Sequence, residues 1–387
     1  MNIFHWVAGW VLGLVWLSRV IDAGFGIRTI PDISLPEWDH EPAPPHPTVA
    51  IIVPARNEEE SIEQAMLRLE ALDYDNYQVV AIDDRSTDKT GEIMDRMAAA
   101  SSGRLKVVHV RELPAGWMGK AHAMWSAART TNADWLLFTD ADIMFRKDTL
   151  RRAVAYAEAA RADHLVVLPQ VVMHRFSEKM MIAFFQLLFV FAHRPWKVSD
   201  PKSKDHMGVG AFNMVRRQAY ESVGTFERLR MEVLDDMKLA KILKNAGFSQ
   251  HVVFGDDMIR VRWAQGARGI VNNLTKNFFA VMSFETWRAL LSCVGMAILN
   301  YLPFVGALAA HGWARSGYVV ALLSMLALYS GIWKQAEIHP WYFFLHPLST
   351  TLFIYTMLRS TFVTLHNHGV NWRGTHYPLH ELRKEQV

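Results

Sequence analysis

Val49-Ala-Ile-Ile-Val-Pro-Ala-Arg-Asn-Glu58 decides how the rest of the chain is read. Five apolar residues lead into Pro54, and a polar turn then opens a segment with three successive acids, Glu58, Glu59 and Glu60. A continuous apolar run of this length suits a strand buried on both faces. Acids at the start of the following helix suit its positive dipole end. No G-x-G-x-x-G follows the strand, which argues against a dinucleotide-binding turn. Further apolar runs lie at 78–82, 105–110, 135–139 and 165–168, and 59–72, 89–100 and 121–131 read as helices between them. This alternation predicts an α/β domain with a mainly parallel sheet over residues 48–280. Ligands of such sheets sit beyond the carboxyl ends of the strands.

Outward from that domain the composition changes. Of 387 residues, 51% are hydrophobic and fourteen are Trp, which is rich for a soluble enzyme and reflects apolar runs at both ends. Residues 1–30 read as a retained transmembrane anchor rather than a cleaved signal peptide, since no basic residue precedes the apolar run. Six prolines in 31–47 suit an extended linker. Residues 281–370 hold three apolar runs, at 290–310, 318–333 and 341–358, read as a transmembrane cluster; the second is the shortest. A further run at 180–192 is too short to span and, with its basic flanks, reads as an interfacial helix over 176–194 or as a core helix. Residues 371–387 form a basic tail. Arg359, Arg373, Arg383 and Lys384 favour an inside C-terminus, whereas three spans after a cytoplasmic domain would put it outside. That conflict makes 318–333 the first suspect for a re-entrant segment. Asn371-Trp-Arg-Gly374 reads either as a basic membrane flank or as a segment folding back towards the site.

Net charge is only +3, from 41 basic and 38 acidic residues, and shows no spread basic surface for nucleic acid. The lone Cys293 excludes an internal disulfide and a cysteine-based zinc site; it reads as a packing residue.

Carboxylates punctuate the strand ends. Asp83 and Asp84 close the second strand and are placed to accept hydrogen bonds from a ribose or a base, or else belong to a polar turn. Asp140 and Asp142 follow the strand that begins at Trp135; two apart on an extended chain, they project to one side. Such oxygen ligands suit Mg2+ or Mn2+ bridged to phosphates. Asp235 and Asp236 open a helix, as dipole partners or as a general base.

In this order the motifs resemble the family 2 glycosyltransferases, which have a GT-A fold, over roughly residues 48–263. The membrane layout is similar to members that glycosylate lipids, such as ceramide glucosyltransferases and carotenoid- or hopanoid-associated bacterial enzymes. The resemblance implies a nucleotide pocket lined by Pro54, Ala55, Arg56 and Glu58, with Asp83 and Asp84 at the base or ribose. It implies Asp140 and Asp142 at the metal–diphosphate, Asp142 being the direct ligand, and Lys120 near the donor. Asp236, beside Asp235, is the implied base; Gly210 lies near the acceptor and sugar, and Arg262-Trp263 border the acceptor or diphosphate. Processive members carry Gln-x-x-Arg-Trp, whereas Ile259 stands in the Gln position here, which favours single-sugar transfer.

The expected function is therefore inverting, metal-dependent transfer of one sugar from a nucleotide-sugar donor, UDP on family precedent, to a lipid or membrane-associated acceptor. The expected location is a bacterial inner membrane, multi-pass, with the catalytic domain facing the cytoplasm. A processive polysaccharide synthase and a non-catalytic lipid-binding protein with a degenerate transferase domain are the alternatives. A nucleotidyltransferase would want a more basic, Gly-rich loop than Pro54–Glu58, and a transporter would carry ionisable residues within its spans.

Overall fold

The computed structural model describes residues 3–384, which divide into two compact units. One comprises residues 30–172, 195–262 and 373–384. Its central sheet contains seven strands: β1 (Val49–Ala55), β2 (Tyr77–Asp84), β3 (Leu105–Val110), β4 (Trp135–Phe138), β5 (His164–Leu168), β6 (Asn213–Arg216) and β7 (Gln250–Phe254). The spatial order is β3-β2-β1-β4-β6-β5-β7. β1 runs parallel to β2 and β4, β2 to β3, and β5 to β7; only β6 is antiparallel to its neighbours. The mainly parallel α/β architecture expected from the sequence is present.

The central strands are apolar on consecutive residues because both sheet faces are covered. Ile51, Val53, Val79, Ala81 and Leu137 enter one core cluster, and Ile52, Val80, Ile82, Leu136 and Phe138 enter the other. Helices Ile62–Glu70, Thr90–Ala100 and Gly119–Ala128 follow β1, β2 and β3 in turn. Their connections therefore emerge at one end of the parallel strands, where the acidic motifs lie. A small second sheet joins Met144–Phe145, Ile259–Val261 and Gln170–Val171.

The proline-rich stretch, expected as a linker, is pinned to this unit. Ile33 is fully buried, and its N–H donates to the Phe254 carbonyl at 2.9 Å. Arg152 donates to the carbonyls of Ile33, Ser34 and Leu35 and pairs with Asp39 at 3.0 Å. Composition alone did not reveal these long-range partners.

The other unit comprises residues 3–29, 173–194 and 263–372. The division thus falls at Arg262/Trp263, ahead of the expected boundary near residue 280, because helix Gly266–Val281 packs with this unit's helices. Four segments are long and apolar enough to cross a membrane by length and composition: Ile3–Thr29, Phe176–Lys197, Thr286–Ala309 and Trp313–Ile332. The second corrects the expectation that this run is too short. Its helix begins at Phe176, where the side chain of Glu178 accepts the Arg175 N–H at 3.1 Å, and a turn at Pro195–Lys197 extends it. The suspected re-entrant run belongs to a 24-residue helix, Trp313–Ala336. Helix His346–His366, covering much of the third expected run, falls outside the four and buries His346, Ser349, Thr350, Thr356 and Ser360.

Small residues set the packing of the first helix. A Cβ on Gly9 would lie 2.7 Å from the Ala314 carbonyl oxygen, and one on Gly13 2.6 Å from that of Gly317. This small-xxx-small spacing lets two backbones approach closely. Inside the unit, His346 is hydrogen-bonded to Asn300 at 3.0 Å and to Tyr329 at 3.2 Å. Ile3, Val7, Val11, Leu14, Leu291, Val294 and Leu308 remain exposed, as lipid-facing side chains would.

Gly13→Leu should push the helix Ile3–Gly26 off Trp313–Ala336. The expected outcome is a loss of about 2 kcal/mol or more, an overpacking cost, read as a lower Tm of the full chain in detergent; an unchanged Tm would refute the close approach.

Candidate functional site

The site is assembled from the carboxyl ends of β1, β2 and β4. After β1, Pro54 and Ala55 lead through Arg56 to Asn57, whose φ of 54° is a left-handed conformation that asparagine tolerates. The loop after β2 is stitched to this one. Ser86 accepts from the Asn57 N–H at 3.1 Å, Thr90 from the Glu58 N–H at 2.8 Å, and Asn57 from the Thr87 N–H at 2.8 Å. The backbone amides of Asn57, Glu58 and Thr87 thereby each find a partner from the other loop.

Asp83 and Asp84 are buried at the end of β2 and are engaged by their neighbours. Asp83 accepts from the Ser86 N–H at 3.1 Å and is hydrogen-bonded to His109 at 3.0 Å, while Asp84 pairs with Arg85 at 2.8 Å. Hydrogen bonds to Asp83 and Asp95 hold the His109 pKa above its ordinary value, more than offsetting burial. Gly119 is necessary beside the Asp84–Arg85 pair, since a Cβ there would lie 2.5 Å from an Asp84 oxygen.

Asp140 and Asp142 lie in the turn beyond β4, which the Asp140 N–H ties to the Gly210 carbonyl at 3.0 Å. The Lys120 ammonium stands 2.7 Å from Asp140 and 3.6 Å from Asp235. Burial works against that charge, but Asp140, Asp235 and Asp236 outweigh it and the lysine pKa is raised. Gly210 packs against the pair: a Cβ would sit 2.7 Å from Asp140 and 3.5 Å from the Lys120 nitrogen. A Cβ on Gly208 would overlap the Asp236 carbonyl. Glycines here admit backbone where side chains could not fit.

Desolvation, Asp140 and Glu58 push the Asp142 carboxyl up to about 6, with Arg373 acting against them. Desolvation and Asp235 likewise raise Asp236, whose carboxylate accepts the Met237 N–H at 2.7 Å. Among the described residues no group of three or more His, Cys, Asp or Glu side chains is arranged to hold a metal. The Asp140 and Asp142 carboxyls nonetheless suit a hard divalent cation, which commonly takes one or two carboxylates and completes its shell with phosphates and water.

The structure thus brings together Lys120, Asp140, Asp235, Asp236 and Gly210, and places Arg56, Glu58 and Asp142 in the adjoining loops. Arg262 is exposed after strand Ile259–Val261, whereas Trp263 belongs to the other unit and packs on Phe185 at 5.0 Å between ring centres. Residues that sequence reasoning passed over are Gly119, His109, Thr375 and Tyr377. The Tyr377 hydroxyl accepts the Gly119 N–H at 3.0 Å. The one local signal was Arg373-Gly374, whose positive φ values of 47° and 77° mark a tight turn.

Residues 50–224 match the family model described as Glycosyl transferase family 2. The chain is 24% identical over 237 residues to a 4,4'-diaponeurosporenoate glycosyltransferase of Staphylococcus aureus, a match covering 60% of this chain and 61% of that protein. It is 34% identical over 154 residues to a beta-monoglucosyldiacylglycerol synthase of Synechocystis, covering 37% and 32% respectively. The fold is similar to a mannosyltransferase from Pyrobaculum calidifontis solved in complex with GDP-Man and Mn2+. That similarity has a TM-score of 0.54 and 18% identity, covering 90% of this chain and 99% of that one.

Because its folded pKa is raised, His109 contributes stability that is complete below its unfolded pKa and is lost as pH rises through the folded value. His109→Gln should therefore flatten the fall in Tm that the wild type shows as pH rises above the ordinary histidine value of about 6.5. Parallel Tm–pH curves for the two proteins would count against this coupling.

Proposed function

We propose that the protein, whose residues 50–224 match the Glycosyl transferase family 2 model, transfers a single sugar from a nucleotide-sugar donor to a hydroxyl of a lipid or membrane-associated acceptor. The observation that carries the proposal is the convergence of Lys120, Asp140, Asp235 and Asp236 beyond parallel strand ends. A cation buried among acids contributed by separate elements is costly to assemble unless the group serves a ligand.

The chemistry follows as one displacement. The acceptor oxygen bonds to the anomeric carbon as the bond from that carbon to the diphosphate oxygen breaks, which inverts the centre. Asp236 takes the acceptor proton, its raised pKa suiting a general base. Asp235 and Asp140 hold Lys120, which orients and partly neutralises the departing diphosphate. Asp142, with Asp140, would hold Mg2+ or Mn2+, which when bound supplies Lewis-acid offset of the charge on the leaving group. Pro54, Ala55, Arg56 and Glu58 form the donor-side wall, with Asp83 and Asp84 bracing it from β2. UDP is the nucleotide favoured by the family resemblance.

Two features support a lipid-type acceptor. The relatives are named for diaponeurosporenoate and monoglucosyldiacylglycerol, and four segments here are long and apolar enough to cross a membrane. A multi-pass protein of a bacterial inner membrane, with its α/β domain on the cytoplasmic side where nucleotide sugars are made, fits both. Ile259 in place of the processive family's Gln supports single transfer.

Purified protein in detergent, given a panel of nucleotide sugars, Mg2+ or Mn2+ and total lipid extract, should yield a lipid heavier by one sugar in mass analysis. A ladder of sugars would overturn single transfer; turnover of soluble acceptors alone would overturn the lipid acceptor. Asp236→Asn should keep donor binding and lower kcat by about 10²–10⁴-fold, and unchanged kcat would remove the assigned base. Exhaustive chelation should abolish transfer, and restored Mn2+ should return it.

A further inference from the structure

The C-terminal strand Thr375–Pro378 and the turn before it lie against the β1 loop and the start of the Lys120 helix, both assigned above to the donor. Arg373 donates through one guanidinium nitrogen to Glu58 at 2.6 Å and through another to the Arg56 carbonyl. Thr375, 319 residues along the chain from Arg56, accepts from its guanidinium at 3.1 Å. Tyr377 is buried, accepts from the Gly119 N–H at the start of the Lys120 helix, and acts electrostatically on Arg85, the partner of Asp84. One short segment thus touches the β1 loop and the helix carrying Lys120.

The charges around it are unequal. Lys120 is held by Asp140 and Asp235, and Arg85 by Asp84. Among the described residues, the Arg56 guanidinium donates to the Thr375 hydroxyl and its buried Nε has no hydrogen-bond partner. Arg373 has one carboxylate, Glu58, and its side chain remains 45% exposed. It also acts electrostatically on Asp142. Two guanidiniums with unused donors therefore stand beside the carboxylates at the strand ends. Guanidinium forks match phosphate oxygens in geometry and charge.

We infer that the segment 373–378 is a wall of the donor site, in which Arg373 binds the diphosphate of the nucleotide sugar and Thr375 and Tyr377 are positioning residues for Arg56 and the Gly119–Lys120 helix start. The inference rests on the glycosyltransferase reading and adds to it a ligand-binding residue more than 300 positions beyond the first strand. It also gives the left-handed turn at Arg373-Gly374 a purpose: the turn directs the arginine to Glu58 while the strand continues to Tyr377.

The test uses the full chain in detergent. Binding of UDP and GDP is measured by calorimetry, donor KM and kcat by product formation, and Tm alongside. Arg373→Ala should weaken nucleoside diphosphate binding and raise donor KM by about tenfold, the scale of one charged hydrogen bond, with kcat changed less than KM. Arg373→Lys should recover part of the affinity, keeping the charge but losing the fork. Tyr377→Phe should raise donor KM by a smaller factor with little change in Tm, because only a hydroxyl is lost. If Arg373→Ala fails to fold, the Lys variant decides, since unchanged affinity there overturns the fork. Wild type that binds and variants that bind equally overturn this inference alone. A fall in Tm that accounts for all lost binding also overturns it, making the segment a structural strap. Wild type that binds no nucleoside diphosphate overturns the glycosyltransferase reading itself.

Discussion

The Lys120 ammonium, 2.7 Å from Asp140 and 3.6 Å from Asp235, is the contact on which the site depends. Three elements far apart in sequence meet around it: the helix after β3, the turn after β4, and the helix that begins at Asp235. Without the cation, Asp140, Asp235 and Asp236 would be like charges forced together at partial burial, and protonation would relieve them. With it, the acids stay close and the glycines at 208 and 210 can pass between them. Beside this cluster, burial, Asp140 and Glu58 push the Asp142 carboxyl up, with Arg373 acting against them.

That constraint explains why the sheet is built as it is. Parallel strands β1, β2 and β4 end side by side, so their following loops share one edge. The loops then supply one another's hydrogen bonds, Ser86 and Thr90 serving the amides of Asn57 and Glu58. A rigid edge of this kind holds polar groups in place before any ligand arrives, which is the condition for electrostatic catalysis. Arg373 and Tyr377 fasten the same edge from the far end of the chain.

The apolar helices follow different rules. Their outward side chains need no polar periodicity, and contact is made by small residues at Gly9, Gly13 and Gly317. Polar groups such as His346, Asn300 and Tyr329 are turned inward and satisfied by one another. Runs of apolar residues marked most of these helices in the sequence. They did not mark every helix end: Phe176 begins its helix under a capping box with Glu178, ahead of the apolar run. Nor did they separate helix Gly266–Val281 from the α/β unit, as its amphipathic pattern suits either environment.

Much of the α/β unit was legible because its signals are local. A strand buried on both faces must be apolar throughout, and an acid after such a strand is visible as Asp83, Asp140 or Asp142. The sequence by itself determined five of the seven central strands, the acidic strand ends, the helix start at Asp235 and the apolar runs on either side of the α/β unit, but not strands Asn213–Arg216 and Gln250–Phe254. Only the tertiary structure decided which acids are engaged by their neighbours and which meet Lys120. It also decided that the proline-rich stretch is pinned by Arg152, and that residues near 375 reach Arg56 and Gly119. These are pairings across tens to hundreds of residues. No spacing or periodicity encodes them, because they arise only when the sheet order places separate loops on one edge.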